Sequence, residues 1–291
     1  NKDVKQEYKF INKLRKSFFK NKFKSNIFII VSDEKNYLKV NNFLKLNIIS
    51  KKIKVFEFDR WFEYHFERLS NKFLKGNQKS LLLNNNKSRK INFLIKRFGD
   101  IIFSFILIIL TSPILFISLL LVYIEDGAPV FYSQIRTGYK YKKIKLLKIR
   151  TMKKDAEKNG PQWVKASDSR ITKVGEFLRV MRIDELPQLF SVFSGEMSLI
   201  GPRPERPEFD KRIEIISNNY KIRYLIKPGL SGWSQVNYPY GASIEDALNK
   251  LSYDLFYMKN FSLILDFLIF IKTIKLVLNA QGAKPKENIN K

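Results

Sequence analysis

The feature that most constrains this chain is an uncharged, apolar run that extends from Ile101 to Ile124. A helix of that length measures roughly 36 Å at about 1.5 Å per residue, which is enough to cross a hydrocarbon core of about 30 Å. Ser112 and Pro113 lie at its midpoint. Because proline lacks an amide hydrogen and clashes with the preceding turn, we expect a kink there. The run therefore predicts a membrane-embedded helix with a bend in its middle.

Positive charge lies on both sides of this run. Lysine and arginine near membrane helices prefer the cytoplasmic side, so two positive flanks favour a re-entrant helix–break–helix hairpin that enters and leaves one leaflet. Thr111 and Ser112 would then donate hydrogen bonds to the carbonyls that the break leaves free. An ordinary kinked transmembrane helix fits the same pattern, and both remain open. The flanking residues are Lys87, Arg89, Lys90, Lys96 and Arg97 before the run, and Arg136, Lys140, Lys142, Lys143, Lys145 and Lys148 after it.

The composition narrows the chemistry. The formal net charge is +27, which predicts a polyanionic partner such as nucleic acid, an anionic membrane surface or a phosphorylated substrate. The chain has no cysteine and a single histidine, His65. That excludes disulfides, thiolate nucleophiles and histidine-rich metal sites. Catalysis would therefore depend on carboxylates, hydroxyls, lysine or arginine.

The rest of the chain predicts a mixed α/β (α+β) protein. Residues 27–31 and 53–58 have the patterns of strands, and we interpret residues 1–90 as the remnant of an α/β domain followed by a linker. Because the chain starts at Asn1 rather than at methionine, we expect a fragment of a longer protein. Residues 125–245 are typical of a soluble α/β region. The long helical pattern at residues 246–278 is too charged to span a membrane, and it predicts an amphipathic helix in the membrane interface or one that packs against a core.

The adjacent carboxylates Asp184 and Glu185 are the first candidates for chemistry. Pro187 is tolerated only in a first helical turn, so we expect Asp184 near a helix N-cap and Glu185 in the first turn. The helix N-terminus, Arg179 and Arg182 would keep Asp184 ionised, as a nucleophile must be. Adjacent carboxylates also suit Mg²⁺ that is completed by substrate phosphates. A plain helix cap with a salt bridge to Arg182 is the alternative.

Basic residues near this pair are candidates for phosphate binding. Prolines on both sides stiffen the loop that holds Arg203, and a pre-organised guanidinium binds phosphate through two parallel hydrogen bonds. Lys148 and Arg150 lie on the charged face of an alternating, strand-like segment. A rigid surface turn and a solvated strand face are the alternatives. The candidate substrate-binding residues are Arg136, Lys148, Arg150, Arg182 and Arg203.

In their order and spacing, these motifs resemble the bacterial sugar transferases, which are monotopic polyprenyl-phosphate phosphoglycosyl transferases. The resemblance covers about residues 94–283 and is greatest to the branch that initiates exopolysaccharide synthesis. Ser191 and Glu196 stand where that family usually has Asn and Asp, at packing and loop positions. The motifs are Lys96-Arg97-Phe-Gly-Asp100, Ser112-Pro113, Gln134-x-Arg136-x-Gly138, Lys148-x-Arg150-Thr-Met152, Arg182-x-Asp184-Glu185-Leu-Pro-Gln188, Met197-Ser-Leu-Ile-Gly-Pro-Arg203-Pro-Glu205, Lys227-Pro-Gly-x-Ser-Gly-Trp233 and Tyr253-Asp-Leu-Phe-Tyr-Met-Lys-Asn260.

The resemblance implies an enzyme that moves a sugar-1-phosphate from a UDP-sugar to polyprenyl phosphate and releases UMP. It implies that Asp184 is the nucleophile of a covalent phosphosugar intermediate, that Glu185 is the partner associated with Mg²⁺ and that Arg203 binds substrate phosphate. The implied location is the bacterial cytoplasmic (inner) membrane, with the catalytic domain facing the cytoplasm. Membrane lipid would be a partner, and homo-oligomers are an option in this family.

The resemblance also implies the domain organisation and the anchor. Lys96, Arg97 and Asp100 would anchor and cap the re-entrant helix, and Ser112-Pro113 would bend it. The implied divisions are a nucleotide-fold-like remnant and linker over residues 1–90, the re-entrant or transmembrane helix over 91–124, the catalytic domain over 125–283 and a tail over 284–291.

Two other functions remain open from the residues alone. A non-catalytic membrane scaffold would use its basic surfaces to bind acidic lipid or polysaccharide. A nucleic-acid-binding membrane protein would explain the charge. The sequence lacks a nucleic-acid recognition motif, however, and the long apolar run argues against that class, so no nucleic-acid partner is expected.

Overall fold

The structure is a computed structural model that describes residues 27–31, 38, 53–70, 87–156, 158, 168–239, 241 and 243–279. Contacts between residues divide the chain into two compact units, residues 1–65 and 66–291. The first unit contains strand β1 (Ile27–Val31), strand β2 (Ile53–Glu57) and helix α1 (Phe58–Phe66), which begins in it. The strands pair in parallel with Ile27 opposite Ile53, which confirms both predicted strands. Their origin in a larger nucleotide-fold-like domain stays a prediction.

In its described residues, the second unit is rich in helix and its sheets are small. Strands β3 and β4 form an antiparallel pair, and β5 and β6 form a parallel pair. The coarse prediction of a mixed helix–strand domain with one long apolar helix is therefore confirmed. Its elements are α2 (Lys87–Asp126), β3 (Phe131–Thr137), β4 (Lys143–Ile149), α3 (Lys173–Val180), α4 (Gln188–Ser194), β5 (Ser198–Ile200), α5 (Pro207–Ile216), β6 (Gly229–Ser231), α6 (Trp233–Asn237), α7 (Ile244–Lys259) and α8 (Leu263–Leu278), with 3₁₀ helices at Tyr139–Tyr141, Ile183–Glu185 and Asn218–Leu225.

Helix α2 continues through Ser112 and Pro113 without a non-helical residue. Pro113 cannot donate to the carbonyl four residues before it, which is that of Ile109. The Ser112 hydroxyl donates to this carbonyl at 2.8 Å, and Thr111 donates to the carbonyl of Leu107 at 2.8 Å. The expected compensation is confirmed for the Ser112 hydroxyl, which replaces the missing donor and helps the helix to continue, but not for Thr111, because the carbonyl of Leu107 is not one that Pro113 leaves free. The structure shows no break between two helices, so the re-entrant topology stays a prediction.

One turn in the first half of α2 attaches this helix to the rest of the unit. Lys96 Nζ lies 2.7 Å from a carboxylate oxygen of Asp266 on α8. The Arg97 guanidinium donates to two carbonyls in the last turn of α4, at 2.7 and 2.8 Å, and Asp100 accepts from the amide of Leu199 on β5 at 3.0 Å. Because α2 begins at Lys87, the prediction that these three residues cap the helix is wrong. They lie inside it and contact three other elements.

The predicted single helix over 246–278 is two helices, α7 and α8. The Ser262 hydroxyl accepts a hydrogen bond from the amide of Leu265 at 3.1 Å, so it forms the N-cap at which α8 begins. Helix α7 is part of the largest core cluster, where Leu251, Leu255 and Met258 are buried. The core-packing alternative is therefore correct for α7. Helix α8 instead exposes a row of large apolar side chains: Ile264, Phe267, Leu268, Phe270, Ile271, Ile274 and Leu278.

Candidate active site

The two candidate carboxylates lie in a short turn between helices. Arg182 follows α3 with a left-handed backbone (φ 55°), and Ile183–Glu185 then forms one 3₁₀ turn. Helix α4 begins only at Gln188, with Pro187 at its N-cap. Asp184 therefore lies near a helix N-cap, as predicted, but three residues before it, and the prediction that Glu185 lies in the first turn of that helix is wrong. A left-handed residue is uncommon outside glycine, and here it reverses the chain so that both carboxylates are buried, each 8% exposed.

The β3–β4 pair supplies basic side chains to the same place. Arg136 lies opposite Ile144 and Lys148 lies opposite Tyr132. Residues two apart along a strand, and residues directly opposite across the pair, share one face of the sheet. Arg136 and Lys148 therefore project from one face, as the alternation predicts. Both line a cavity of about 340 Å³ that is also lined by Asp184, Glu185, Arg150, Arg182 and Arg203.

Glu185 has two cationic partners. Lys148 Nζ donates to its Oε1 at 2.7 Å. The Arg203 guanidinium donates to both carboxylate oxygens, to Oε2 at 3.2 Å and to Oε1 through a second nitrogen. Burial alone would raise the pKa of this carboxyl, but Arg203 and Lys148 hold the pKa of Glu185 well below its usual range. Glu185 is therefore an ionised carboxylate that fixes the two cations.

Asp184 has a different environment from its neighbour. Burial raises the pKa of its carboxyl, and the negative charge of Glu185 adds to that effect. Lys148, Arg179 and Arg203 act in the opposite direction without reversing the shift. Arg179 acts on Asp184 in the predicted direction, but the pKa of this carboxyl is raised overall, and that Asp184 is an ionised nucleophile stays a prediction. No described residue donates a hydrogen bond to this carboxylate, so both of its oxygens are available to a ligand in the cavity.

The remaining predicted basic residues differ in what they contact. Arg136 forms an ion pair with Glu205 at 3.2 Å and lies on the wall of the cavity. Arg150 donates to the carbonyls of Asp126 and Gly127 at 3.0 and 2.6 Å and pairs with the Asp126 carboxylate. One edge of Arg150 therefore binds the C-terminal end of α2. Arg150 thus connects the cavity wall to that helix, a contact that neither the phosphate-binding prediction nor the solvated-face alternative includes, and its binding of phosphate stays a prediction.

A second wall of the cavity contains residues that were not predicted from the sequence. It is formed by side chains from the 3₁₀ segment 218–225, from α6 and from α7. These residues are far in sequence from Asp184. Asp254 lies in the Tyr253–Asn260 motif, but nothing in that motif marks it as a phosphate or sugar ligand, and the other residues of this wall lie in none of the motifs. The wall includes Tyr220, Arg223, Ser234, Gln235, Tyr238, Lys250 and Asp254.

Comparison with known proteins identifies relatives over most of this unit. The model of a family described as bacterial sugar transferase matches residues 91–280. The UDP-N-acetylgalactosamine-undecaprenyl-phosphate N-acetylgalactosaminephosphotransferase of Aeromonas hydrophila is 42% identical over 190 residues, which are 65% of this chain and 45% of that protein. The UDP-glucose:undecaprenyl-phosphate glucose-1-phosphate transferase of Klebsiella pneumoniae is 37% identical over 194 residues, 65% of this chain and 41% of that protein.

A shorter relative consists almost entirely of the matched region. The uncharacterized sugar transferase EpsL of Bacillus subtilis is 33% identical over 196 residues, which are 67% of this chain and 93% of that protein. The chain spans less than half the length of the Aeromonas and Klebsiella relatives. The region that the family model matches contains α2 except for its first residues, the carboxylate turn and both walls of the cavity.

Proposed function

The chain belongs to the bacterial sugar transferase family, and we propose that it transfers a sugar-1-phosphate from a UDP-sugar to undecaprenyl or another polyprenyl phosphate, with release of UMP. The reaction would be the first membrane step in the assembly of an exopolysaccharide or another surface glycan. The names of the Aeromonas and Klebsiella relatives support this class of reaction. The observation that carries the proposal is one cavity in which the open Asp184 carboxylate lies beside Glu185, Lys148 and Arg203.

In the first step, Asp184 attacks the phosphorus atom that bears the sugar. A bond forms between a carboxylate oxygen and that phosphorus, and the bond from phosphorus to the oxygen of UMP breaks. UMP leaves with the electron pair of that bond. The product is an acyl phosphate that joins Asp184 to the sugar. Such a covalent intermediate divides one difficult transfer into two easier steps.

In the second step, an oxygen of polyprenyl phosphate attacks the same phosphorus. The bond from phosphorus to Asp184 breaks, the carboxylate is restored and polyprenyl-diphospho-sugar is released. Both steps place negative charge on the transferring phosphoryl group, and guanidinium and ammonium groups fixed beforehand stabilise that charge. In this proposal Glu185 positions Arg203 and Lys148, because it binds both cations without substrate.

The carboxylate pair also fits a divalent cation. Mg²⁺ takes one or two protein carboxylates together with waters and substrate phosphates, and Asp184 and Glu185 are carboxylates on one turn. Among the described residues, no group of three or more His, Asp and Glu side chains could hold a metal without substrate. A Mg²⁺ site that the two carboxylates begin and the substrate pyrophosphate completes is consistent with this carboxylate pair and with the absence of a larger group in the part of the chain that the structure describes. When bound, Mg²⁺ would supply positive charge against the pyrophosphate.

The apolar helices favour a membrane location. Helix α2 is long and apolar enough to cross a membrane over Lys90–Asp126, and α8 has exposed isoleucine, leucine and phenylalanine side chains. In this proposal α2 enters the bacterial cytoplasmic membrane, α8 lies in its interface and the basic surface faces the anionic cytoplasmic leaflet. The cavity would then face the cytoplasm, where UDP-sugars are made, and homo-oligomers are compatible with this arrangement.

The direct test is a UMP-release assay in membranes or detergent, with polyprenyl phosphate, Mg²⁺ and a panel of UDP-sugars. We expect Asp184→Asn to abolish UMP release and to abolish covalent labelling of the protein by a radioactive UDP-sugar. The matched control is Glu185→Gln on the same turn. It should slow turnover and still give a labelled protein, because the attacking carboxylate remains.

Two results would contradict the proposal. Full activity of Asp184→Asn, or a phosphosugar that mass spectrometry locates on another residue, would exclude Asp184 as the nucleophile. Absence of UMP release by the intact protein with every UDP-sugar tested would exclude the reaction and favour a non-catalytic membrane scaffold.

A further inference from the structure

We propose that Arg223 is a positioning residue that holds the backbone of Arg203 in place for phosphate binding. This inference rests on the proposed function, in which the Arg203 side chain binds a substrate phosphate. Arg223 lies in the 3₁₀ segment Asn218–Leu225, on the cavity wall that has no recognised phosphate motif.

The guanidinium of Arg223 connects three parts of the unit. One terminal nitrogen donates to the backbone carbonyl of Arg203 and lies 3.1 Å from the carboxylate of Asp254 on α7. The other terminal nitrogen donates to the hydroxyl of Tyr220. That hydroxyl in turn donates to Asp210 on α5 at 2.9 Å. The loop that contains Arg203 is therefore attached, through one side chain, to both α5 and α7.

Burial makes this connection strong. Arg223 is 7% exposed, and Asp254 is 1% exposed. A buried ion must keep its partners, because removal of one leaves an uncompensated charge away from water. The Arg203 carbonyl is one of the few acceptors that Arg223 has, so a shift of this carbonyl would cost a charge-assisted hydrogen bond. The position of the loop is thus determined by a buried ionic cluster.

The arrangement separates positioning from binding. The Arg203 side chain donates to Glu185 beside Asp184, whereas Arg223 donates to the backbone carbonyl of Arg203. Pro202 and Pro204 restrict the chain on both sides, so a displaced carbonyl would move the whole residue. A displacement of about 1 Å at a substrate-positioning group can lower a rate on the order of 100-fold.

A double-mutant cycle between Arg203→Ala and Arg223→Lys tests this inference. Lysine keeps the positive charge near Asp254 but cannot contact the Arg203 carbonyl, Asp254 and Tyr220 together. Two quantities should be measured in detergent for each protein: kcat/KM for UMP release, and the affinity for inorganic pyrophosphate by titration calorimetry. We expect Arg223→Lys to lower both on the order of 100-fold when Arg203 is present, and to have little further effect in the Arg203→Ala background.

The chain offers a matched control. Arg170 also pairs with a carboxylate, that of Asp168, and also donates to a backbone carbonyl, that of Ala156. Arg170→Lys makes the same chemical change without touching the loop of Arg203. Its effect should add to that of Arg203→Ala, because independent sites are additive. Additive losses for Arg223→Lys as well would overturn the inference and leave Arg223 a purely structural residue.

Two further outcomes are decisive. If Arg223→Lys does not fold, a variant with both Arg223→Gln and Asp254→Asn replaces it in the cycle. This variant removes the two buried charges together and leaves neither unpaired. If the intact protein releases no UMP but the two arginines are coupled in pyrophosphate binding, the proposed reaction is contradicted while the positioning of Arg203 is supported.

Discussion

A typical water-soluble protein has an apolar interior and a polar surface. Here the buried cavity around Asp184 is lined by charged side chains, whereas the exposed surfaces of α2 and α8 are apolar. In the cavity, the ionisable side chains of Asp184, Glu185 and Arg150 are buried. On the helices, Phe116 and Ile264 are 71% and 75% exposed. Buried charges need partners, and large exposed apolar surfaces mark contacts with something other than water. In the proposed function, this difference corresponds to two environments, an anionic substrate in the cavity and lipid around the helices.

The largest expected effect contrasts α7 with α8. Leu255 on α7 is fully buried, and Leu255→Ala should lower the free energy of unfolding by about 2–5 kcal/mol because it leaves a cavity in the core. Leu268 on α8 is 48% exposed, and Leu268→Ala should change the free energy of unfolding by less than about 0.5 kcal/mol in detergent. Denaturant unfolding measures both. Equal losses would show that α8 is a core helix and would remove the contrast.

The next prediction tests the environment of α2. Phe116→Asp places a charge on an exposed face of the apolar run, which should disfavour membrane insertion by about 2.5–3.5 kcal/mol. Sedimentation of membranes should then show part of the protein in the soluble fraction. Ile215 on α5 is 86% exposed, and Ile215→Asp is the control, expected to leave the membrane fraction unchanged. If both variants behave alike, the exposure of α2 does not reflect contact with lipid.

The third prediction concerns the charges of the cavity. Lys148 is the strongest cation acting against the raised pKa of Asp184, so Lys148→Met should raise that pKa further. Because the carboxylate must be ionised to attack, activity lost on acidification should be lost at a higher pH in this variant. The acidic limb of the pH profile of kcat/KM reports the free enzyme. Arg136→Met, which removes a cation of the same wall, should lower activity and leave the acidic limb in place. An unshifted limb in Lys148→Met would mean that the limb does not report Asp184.

The smallest expected effect on stability concerns the contact between α2 and α4. Gly195, just after α4, has φ +90°, and a Cβ there would lie 2.9 Å from an Arg97 nitrogen that binds α4. Gly195→Ala should therefore destabilise the protein by about 1–2 kcal/mol. Gly99 inside α2 has no atom closer than 3.9 Å to such a Cβ, so Gly99→Ala should stabilise slightly, as expected for a helix interior. Thermal unfolding compares the two, and the same sign for both would contradict the backbone strain expected at Gly195.

Local patterns predicted much of the fold. The alternation of residues around Lys148 identified β4, because side chains on a strand alternate between two faces. The hydroxyls beside Pro113 were predicted to replace its missing hydrogen bond, and Ser112 does so. The end of α7 near Asn260 and the start of α8 at Ser262 were missed, since the apolar pattern continues across them while the structure breaks the helix there. Whether α2 crosses the membrane or returns to the same side stays a prediction.

The site was predicted only in part. Asp184, Glu185, Arg136, Lys148 and Arg203 were chosen from motifs, and the structure brings all of them to one cavity. The contact of Arg150 with the end of α2 could not be foreseen, and neither could the buried cluster around Arg223. Both depend on contacts between residues that are distant in sequence, and local sequence patterns do not predict such contacts.

By itself, the sequence determined the types of group available: adjacent carboxylates, many cations, no cysteine and one long apolar run. Only the tertiary structure decided that Glu185 has a lowered pKa and that Asp184, the next residue, has a raised one. The physical reason is that the energy of a charge depends on its burial and on its distance from other charges. Both quantities are set by packing between α3, α4, β4 and the loop of Arg203.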